Sequence, residues 1–269
     1  MTQSAAVTSA APRCLIIVPA YNEEGSIADV VRDLRRCVPR ADVLVVDDAS
    51  TDRTAQCVPD DAVLLRLPFN LGIGGAMQTG YRYAVMHGYD VAVQVDGDGQ
   101  HPADQVPLLL ERLARGDVDL VIGSRFLKET GFRQTAARVA GSRILRALLR
   151  VLTGRTITDC TSGFRAVNAK VIAAFAHWYP EDYPEPEVVL LLHRAGFRIA
   201  ETPVTMKPRQ AGRTSISLGK GLFYVIKVSV ALLLDMMRQP WPMHQRNISH
   251  SNVTERQDEH VRFVRDTRG

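Results

Sequence analysis

Five short apolar runs, rich in β-branched residues, recur between residues 14 and 122: 14–18, 43–46, 62–67, 91–95 and 118–122. Segments with helical spacing lie between most of them, at 23–37, 75–87 and 102–114. A strand with a solvent face alternates apolar and polar residues; these runs do not alternate, so both of their faces are covered. Strands separated by helices pair in parallel. The predicted fold class is therefore α/β, a mostly parallel central sheet with helices on both faces. In such sheets ligands bind beyond the carboxyl ends of the strands. The polar residues that stand out lie there: Tyr21-Asn22-Glu23, Asp47-Asp48, Asn70, and Asp96, Asp98 and Gln100.

The rest of the chain is less regular. Residues 136–152 read as an arginine-bearing helix, 158–167 as a turn entering a strand, 187–194 as a helix and 198–204 as extended. The expected organisation is a disordered tail at 1–12 and one folded domain at 13–215, with a regular half at 13–122 and a less regular half at 123–215 packed on the same sheet. An apolar helix at 216–239 and a disordered polar tail at 240–269 complete the chain. The apolar helix is interrupted by Lys227 and its unbroken part is shorter than a membrane span needs. It is open to two readings, a buried helix or one lying in a membrane interface or docking a partner.

Of the 269 residues 46% are hydrophobic and 23% charged, which suits a soluble globular chain. The net charge of +4 fits anionic ligands or an anionic surface. Aromatics are only 6% and no basic stripe interleaves with them, which excludes a nucleic-acid partner. Cys14, Cys37, Cys57 and Cys160 lack metal-site spacing and read as reduced cytoplasmic thiols. The first residues lack the apolar core of a signal peptide, and the sequons at Asn247 and Asn252 read as chance matches.

Alternate positions on an extended segment point the same way. Asp96, Asp98 and Gln100 can thus converge three oxygen donors on a hard cation, Mg²⁺ or Mn²⁺, which keeps room for substrate phosphates. The competing reading is an acidic turn ahead of the helix at Pro102. Tyr21 can pack on a base or ribose and Glu23 can accept ribose hydroxyls; alternatively Asn22 caps a helix with Glu23 and Glu24 in its first turn. An aspartate of the 47–48 pair can accept an imide N–H, or Ser50 or Asp52 caps a helix. The stretch Asn70-Leu71-Gly72-Ile73-Gly74-Gly75 is not a phosphate-binding Walker loop, and reads as close helix–sheet packing.

The ordered set PAYNEE, VVDDASTD, NLGIGGA, QVDGDGQHP, GSRF and TSGFRA resembles the family 2 glycosyltransferases, within them the polyprenyl-phosphate (dolichol-phosphate mannose synthase-like) sugar synthases. The resemblance implies a GT-A fold, a UDP- or GDP-sugar donor, inversion at the anomeric carbon and a polyprenyl phosphate acceptor. Carried over, Pro19, Tyr21, Glu23, Val46 (backbone) and Asp48 hold the nucleoside. Asp96, Asp98 and Gln100 hold the metal and diphosphate. Arg125 faces the phosphates at the reacting centre, with Asp98 and Arg125 the catalytic pair. Ser162, Gly163, Phe164, Arg165 and Arg209 form the acceptor and phosphate side. After Gly212 the chain departs from the group's pattern, reading Arg213-Thr214-Ser215, and no role passes to Arg213 or Lys220.

A phosphomonoester acceptor is already anionic and needs no general base. An alcohol acceptor does, and Glu185 or Glu187 in Pro184-Glu185-Pro186-Glu187 could serve a soluble transferase acting on a glycan hydroxyl. A non-catalytic nucleotide-sugar-binding protein is the third reading. The first places the protein on the cytoplasmic face of the membrane, touching the bilayer itself or a small membrane protein.

Overall fold

The computed structural model describes residues 11–127, 136–182, 184–207 and 218–237. The tail expected at 240–269, most of that at 1–12, Arg209 and Arg213 lie outside the described residues, as does the side chain of Lys220.

Seven strands form one sheet: β1 Cys14–Ala20, β2 Asp42–Asp47, β3 Val63–Arg66, β4 Val91–Gln94, β5 Leu120–Ser124, β6 Arg165–Asn168 and β7 Ile199–Pro203, in the order β3-β2-β1-β4-β6-β5-β7. All pairs are parallel except those of β6, which runs antiparallel to both β4 and β5. The helices are α1 Ile27–Cys37, α2 Thr54–Cys57, α3 Gly72–Met86, α4 Val106–Ala114, α5 Ala136–Thr153, α6 Ala169–His177, α7 Pro184–Arg194 and α8 Leu218–Met237. A 3₁₀ turn at Ala103–Gln105 precedes α4.

Side chains on the strands feed two separate cores. Leu15, Ile17, Leu44, Val46, Leu120 and Ile122 pack with α3, α5, α6, α7 and α8; Ile16, Val18, Val43, Val45 and Val121 pack with α1 and α4. This is why most of the runs do not alternate: neighbouring residues point into opposite, equally dry layers. β3 departs from the expectation of two covered faces: it is the edge strand, and Val63 and Leu64 are exposed there. All four cysteines are free, and burial pushes the Cys14 and Cys160 thiols up to about 12.

The expected helix over 23–37 begins only at Ile27. Asn22 adopts φ 56° and its Oδ1 accepts from Thr51 N–H and hydroxyl, so it caps the opposite loop and not its own helix. Conversely α3 starts earlier than expected, at Gly72, because Asp48 accepts from the Leu71 and Gly72 N–H groups at 2.7 and 2.8 Å. The glycines of this segment also act differently from expectation. A Cβ on Gly74 would lie 2.1 Å from the Pro180 carbonyl oxygen; it is Gly80 that brings α3 onto the sheet, where a Cβ would lie 2.4 Å from Ile17.

Ala49 holds φ 58° at the carboxyl end of β2. An L-residue with a Cβ is strained there and glycine is not. Ala49→Gly is expected to raise unfolding free energy by about 1 kcal/mol in urea titration. A decrease would show that contacts of the Ala49 methyl outweigh the strain.

Candidate active site

The carboxyl ends of β1, β2, β4 and β5 share one edge of the sheet. Because β6 is antiparallel, its amino end reaches the same edge: Arg165 pairs with Gln94 of β4 and Ile122 of β5. The chain order reverses beside β1, whose neighbours are β2 and β4, the crevice where such sheets receive nucleotides.

The loops after β1 and β2 are stitched together. Asp48 N–H donates to the Ala20 carbonyl at 2.9 Å and Asn22 N–H to Ser50 Oγ at 3.0 Å. Pro19 lies opposite Val46 in the β1–β2 pair, and Tyr21 stands half exposed at the rim. Glu23 N–H donates to Thr54 Oγ1 at 2.7 Å and its carboxylate accepts from Ser26 Oγ at 3.1 Å. Asp47, fully buried, accepts from Ser50 N–H and Arg66 Nε. Asp48 is buried on the α3 amino terminus, so its first duty is to hold that helix.

Beyond β4, Asp96 is anchored through its backbone N–H, which donates to His101 Nδ1 at 3.0 Å. The ring proton then resides on Nε2, 3.5 Å from Asp96 Oδ2. His101 is buried and stacks on Phe164 with ring centroids 5.0 Å apart. Gly163 fits beneath Asp96: a Cβ there would lie 2.9 Å from Gln94 Nε2 and 3.3 Å from Asp96 Oδ1. Asp98 is buried and accepts from Gln100 N–H at 3.0 Å and from Gln100 Nε2 at 2.5 Å. Gln100 thus turns its amide nitrogen to Asp98. Among the described residues no three His, Cys, Asp or Glu side chains make a metal cage. The donor chemistry nonetheless fits Mg²⁺ or Mn²⁺, which bind through one or two carboxylates and take further oxygens from substrate phosphates.

Arg125 follows β5 directly. Its Nε and Nη2 donate to Asp159 at 2.6 and 2.7 Å, Nη2 also to Thr161 Oγ1 at 2.9 Å, and its backbone N–H to Asp159 Oδ2 at 3.0 Å. Burial pulls this guanidinium down, but the Asp159 hydrogen bonds and the charges of Asp159 and Asp96 leave it above its ordinary value. Arg165 is buried; it donates to the carbonyls of Ser162, Cys160 and Glu185. Its Nη1 is buried with no partner among the described residues. Ser162 is buried, with Oγ accepting from Phe164 N–H. Glu185 is half-buried at the start of α7; burial raises its carboxyl, opposed by the Arg165 charge and reinforced by Asp96. Asp96, Arg125, Arg165 and Glu185 thus share one electrostatic neighbourhood.

Asp159, Thr161 and Glu201 carry no signal in spacing or periodicity, and sequence reasoning passes over them. The only local hint is an aspartate immediately ahead of Cys160-Thr161-Ser162-Gly163.

The family model described as Glycosyl transferase family 2 matches residues 15–175. An undecaprenyl-phosphate mannosyltransferase of Micrococcus luteus is 35% identical over 77% of this chain and 88% of its own. A polyprenol monophosphomannose synthase of Mycolicibacterium smegmatis is 29% identical over 84% of this chain and 90% of its own. In fold, the chain matches a glucosyl-3-phosphoglycerate synthase of Mycobacterium tuberculosis, crystallised with Mn²⁺, UDP and glucosyl-3-phosphoglycerate. The TM-score is 0.65 and the identity 21%, over 83% of this chain and 79% of that one. With a family match over more than half its length and the α/β sheet expected of it, this chain belongs to the family 2 glycosyltransferases.

Proposed function

We propose that the protein moves a sugar, with inversion, from a UDP- or GDP-sugar to a polyprenyl phosphate at the inner face of the membrane, with Mg²⁺ or Mn²⁺. The names of the similar proteins support the acceptor class. The single observation that carries the reading is the grouping of Asp96, Asp98 and a firmly held Arg125 at the edge of the sheet beside the β1–β4 crevice.

Tyr21, Glu23 and the backbone of Val46 would receive the nucleoside, and Asp48 would hold the floor of that pocket. Asp96 and Asp98 would hold the divalent ion, which supplies positive charge to the leaving diphosphate. For Gln100 to add an oxygen, its amide has to turn over. Arg125 would stabilise the same developing charge with donors fixed beforehand. Ser162, Gly163, Phe164 and Arg165, all buried, would support the acceptor side from beneath. Arg209 remains proposed for the acceptor phosphate.

An acceptor lipid cannot leave its bilayer, so the protein must reach it. Along α8, Phe223, Ile226, Val230, Leu233, Leu234 and Met237 are each half or more exposed and fall on one stripe. Val228, Leu232 and Asp235 on the opposite side are buried. A helix apolar on its outer face as well as its inner one has an apolar neighbour to meet. Next to it α5 exposes Ile144 and Val151, each directly after an exposed arginine, Arg143 and Arg150. Apolar residues rimmed by cations match an anionic lipid surface. Among the described residues no helix is long and apolar enough to cross a membrane.

A second reading keeps Glu185 as the base for a hydroxyl acceptor, favoured by its raised carboxyl. Incubation with radiolabelled UDP- and GDP-sugars and undecaprenyl phosphate, with metal or EDTA, separates the two. A metal-dependent, lipid-extractable product supports the first. Donor hydrolysis without lipid product, abolished in Glu185→Gln, supports the second.

A further inference from the structure

We infer that Asp159, itself gripped by Glu201, is a positioning residue that sets the direction of the Arg125 guanidinium; the inference rests on the transferase reading above. One carboxylate, fully buried, takes both the side chain and the backbone N–H of Arg125. With two parallel N–H···O bonds the plane of the guanidinium has no rotational freedom left. Thr161 Oγ1 adds a further stop on Nη2.

The turn that carries Asp159 is fastened in the same way. Glu201 of β7 accepts from Thr158 N–H, Thr158 Oγ1 and Asp159 N–H, each at 2.8 Å. Thr158 Oγ1 also meets Ser124 Oγ, the residue before Arg125, at 2.6 Å. Glu201 lies opposite Ile122 in the β5–β7 pair. The path from sheet to guanidinium is therefore closed: β7 to the 158–159 turn, to Arg125, and back along β5.

A buried ion pair is roughly matched in stability by apolar residues of the same volume, while removal of one partner alone is strongly destabilising; what this pair supplies beyond such a replacement is a fixed arrangement. Here the fixed object is a cation at the edge of the sheet that feels the charge of Asp96. The pair is formally neutral, so Asp159 lowers the net charge offered to a diphosphate. A residue serving phosphate affinity alone would be better absent; one serving direction is needed.

This gives a signature. Asp159→Asn keeps the volume and leaves Arg125 cationic but loosely held. Its kcat is expected to fall about 10²-fold, the scale of a misplacement near 1 Å, while the KM for donor stays level or decreases. The decisive measurement is the cycle with Arg125→Ala: in that background Asp159→Asn is expected to lower kcat no further. Thermal melts of all four proteins accompany the kinetics. Glu201→Gln, which opposes an amide to a backbone N–H, is the second entry to the same cycle should Asp159→Asn fold poorly. Its expected fall is about 10-fold, again absent in the Arg125→Ala background. Equal falls in both backgrounds, or an Asp159→Asn enzyme with unchanged kcat, overturn the inference. A wild-type protein that transfers no sugar removes the transferase reading and the inference with it, an outcome visible before any variant is assayed.

Discussion

Asp98→Ala is expected to reduce sugar transfer about 10³-fold while the protein remains folded, the scale on which removal of a preorganised charge-stabilising group acts. Asp98 lies in the turn after β4, where its two oxygens accept from the main chain and side chain of Gln100. Neither bond ties one element of the sheet to another. Loss of these two bonds costs about 1 kcal/mol apiece. What the alanine removes is a buried carboxylate, the group that would face a divalent ion and, through it, the leaving diphosphate. Asp98→Asn tests charge apart from shape and should be nearly as inactive. Turnover at increasing Mn²⁺ is the readout. A variant that recovers full activity at high metal has lost affinity only. An Asp98→Ala enzyme active at ordinary metal concentration removes Asp98 from the centre.

The second large effect concerns the outer stripe of α8. Ile226→Asp together with Leu233→Asp is expected to abolish binding to vesicles containing phosphatidylglycerol. Each side chain contributes about 1.5–3 kcal/mol when it leaves water, so the pair corresponds to roughly 10²–10⁴-fold in partitioning. Both residues are half exposed, on the side of α8 opposite the buried Val228 and Leu232, so thermal stability should change little. Cosedimentation with the vesicles checks this, and neutral vesicles should bind even the unaltered protein more weakly because Arg143 and Arg150 then lack partners. Undiminished sedimentation of the double variant would falsify the lipid contact.

What was legible in the sequence follows from what local pattern can encode. β1, β2, β4 and β5 were readable because burial on both faces leaves few polar positions in them, and the exposed edge strand β3 because its run is still dominated by Val and Leu. The strand at β6 was readable as the end of the 158–167 turn, but not its antiparallel direction, nor that Arg165 would be buried on the carbonyls of Cys160, Ser162 and the more distant Glu185. α6 went unassigned: Ala169–His177 is short and apolar, and Asn168 caps it through Val171 N–H. The starts of α1 and α3 were misplaced because Asn22 is spent on Thr51 of the opposite loop, while the carboxylate that opens α3 is Asp48, beyond β2. The acidic and aromatic residues at the strand ends were visible as a group, because the pattern fixes where strands end. Their supporting partners were not. Asp159 and Glu201 acquire meaning only when β7 pairs with β5.

The antiparallel insertion of β6 has a consequence for how the chain is made. Every hydrogen-bonded neighbour of β5 comes from later sequence, β6 on one side and β7 on the other. A nascent chain that has just released β5 therefore carries an apolar strand with two open edges, and strands in that condition pair with whatever strand is near. Only when residue 203 has emerged can the last parallel pair close. The two halves distinguished along the sequence are not separable bodies: the earlier cannot complete its sheet without the later. Cutting the chain after residue 124 would yield an aggregating fragment, not a smaller nucleotide-binding unit.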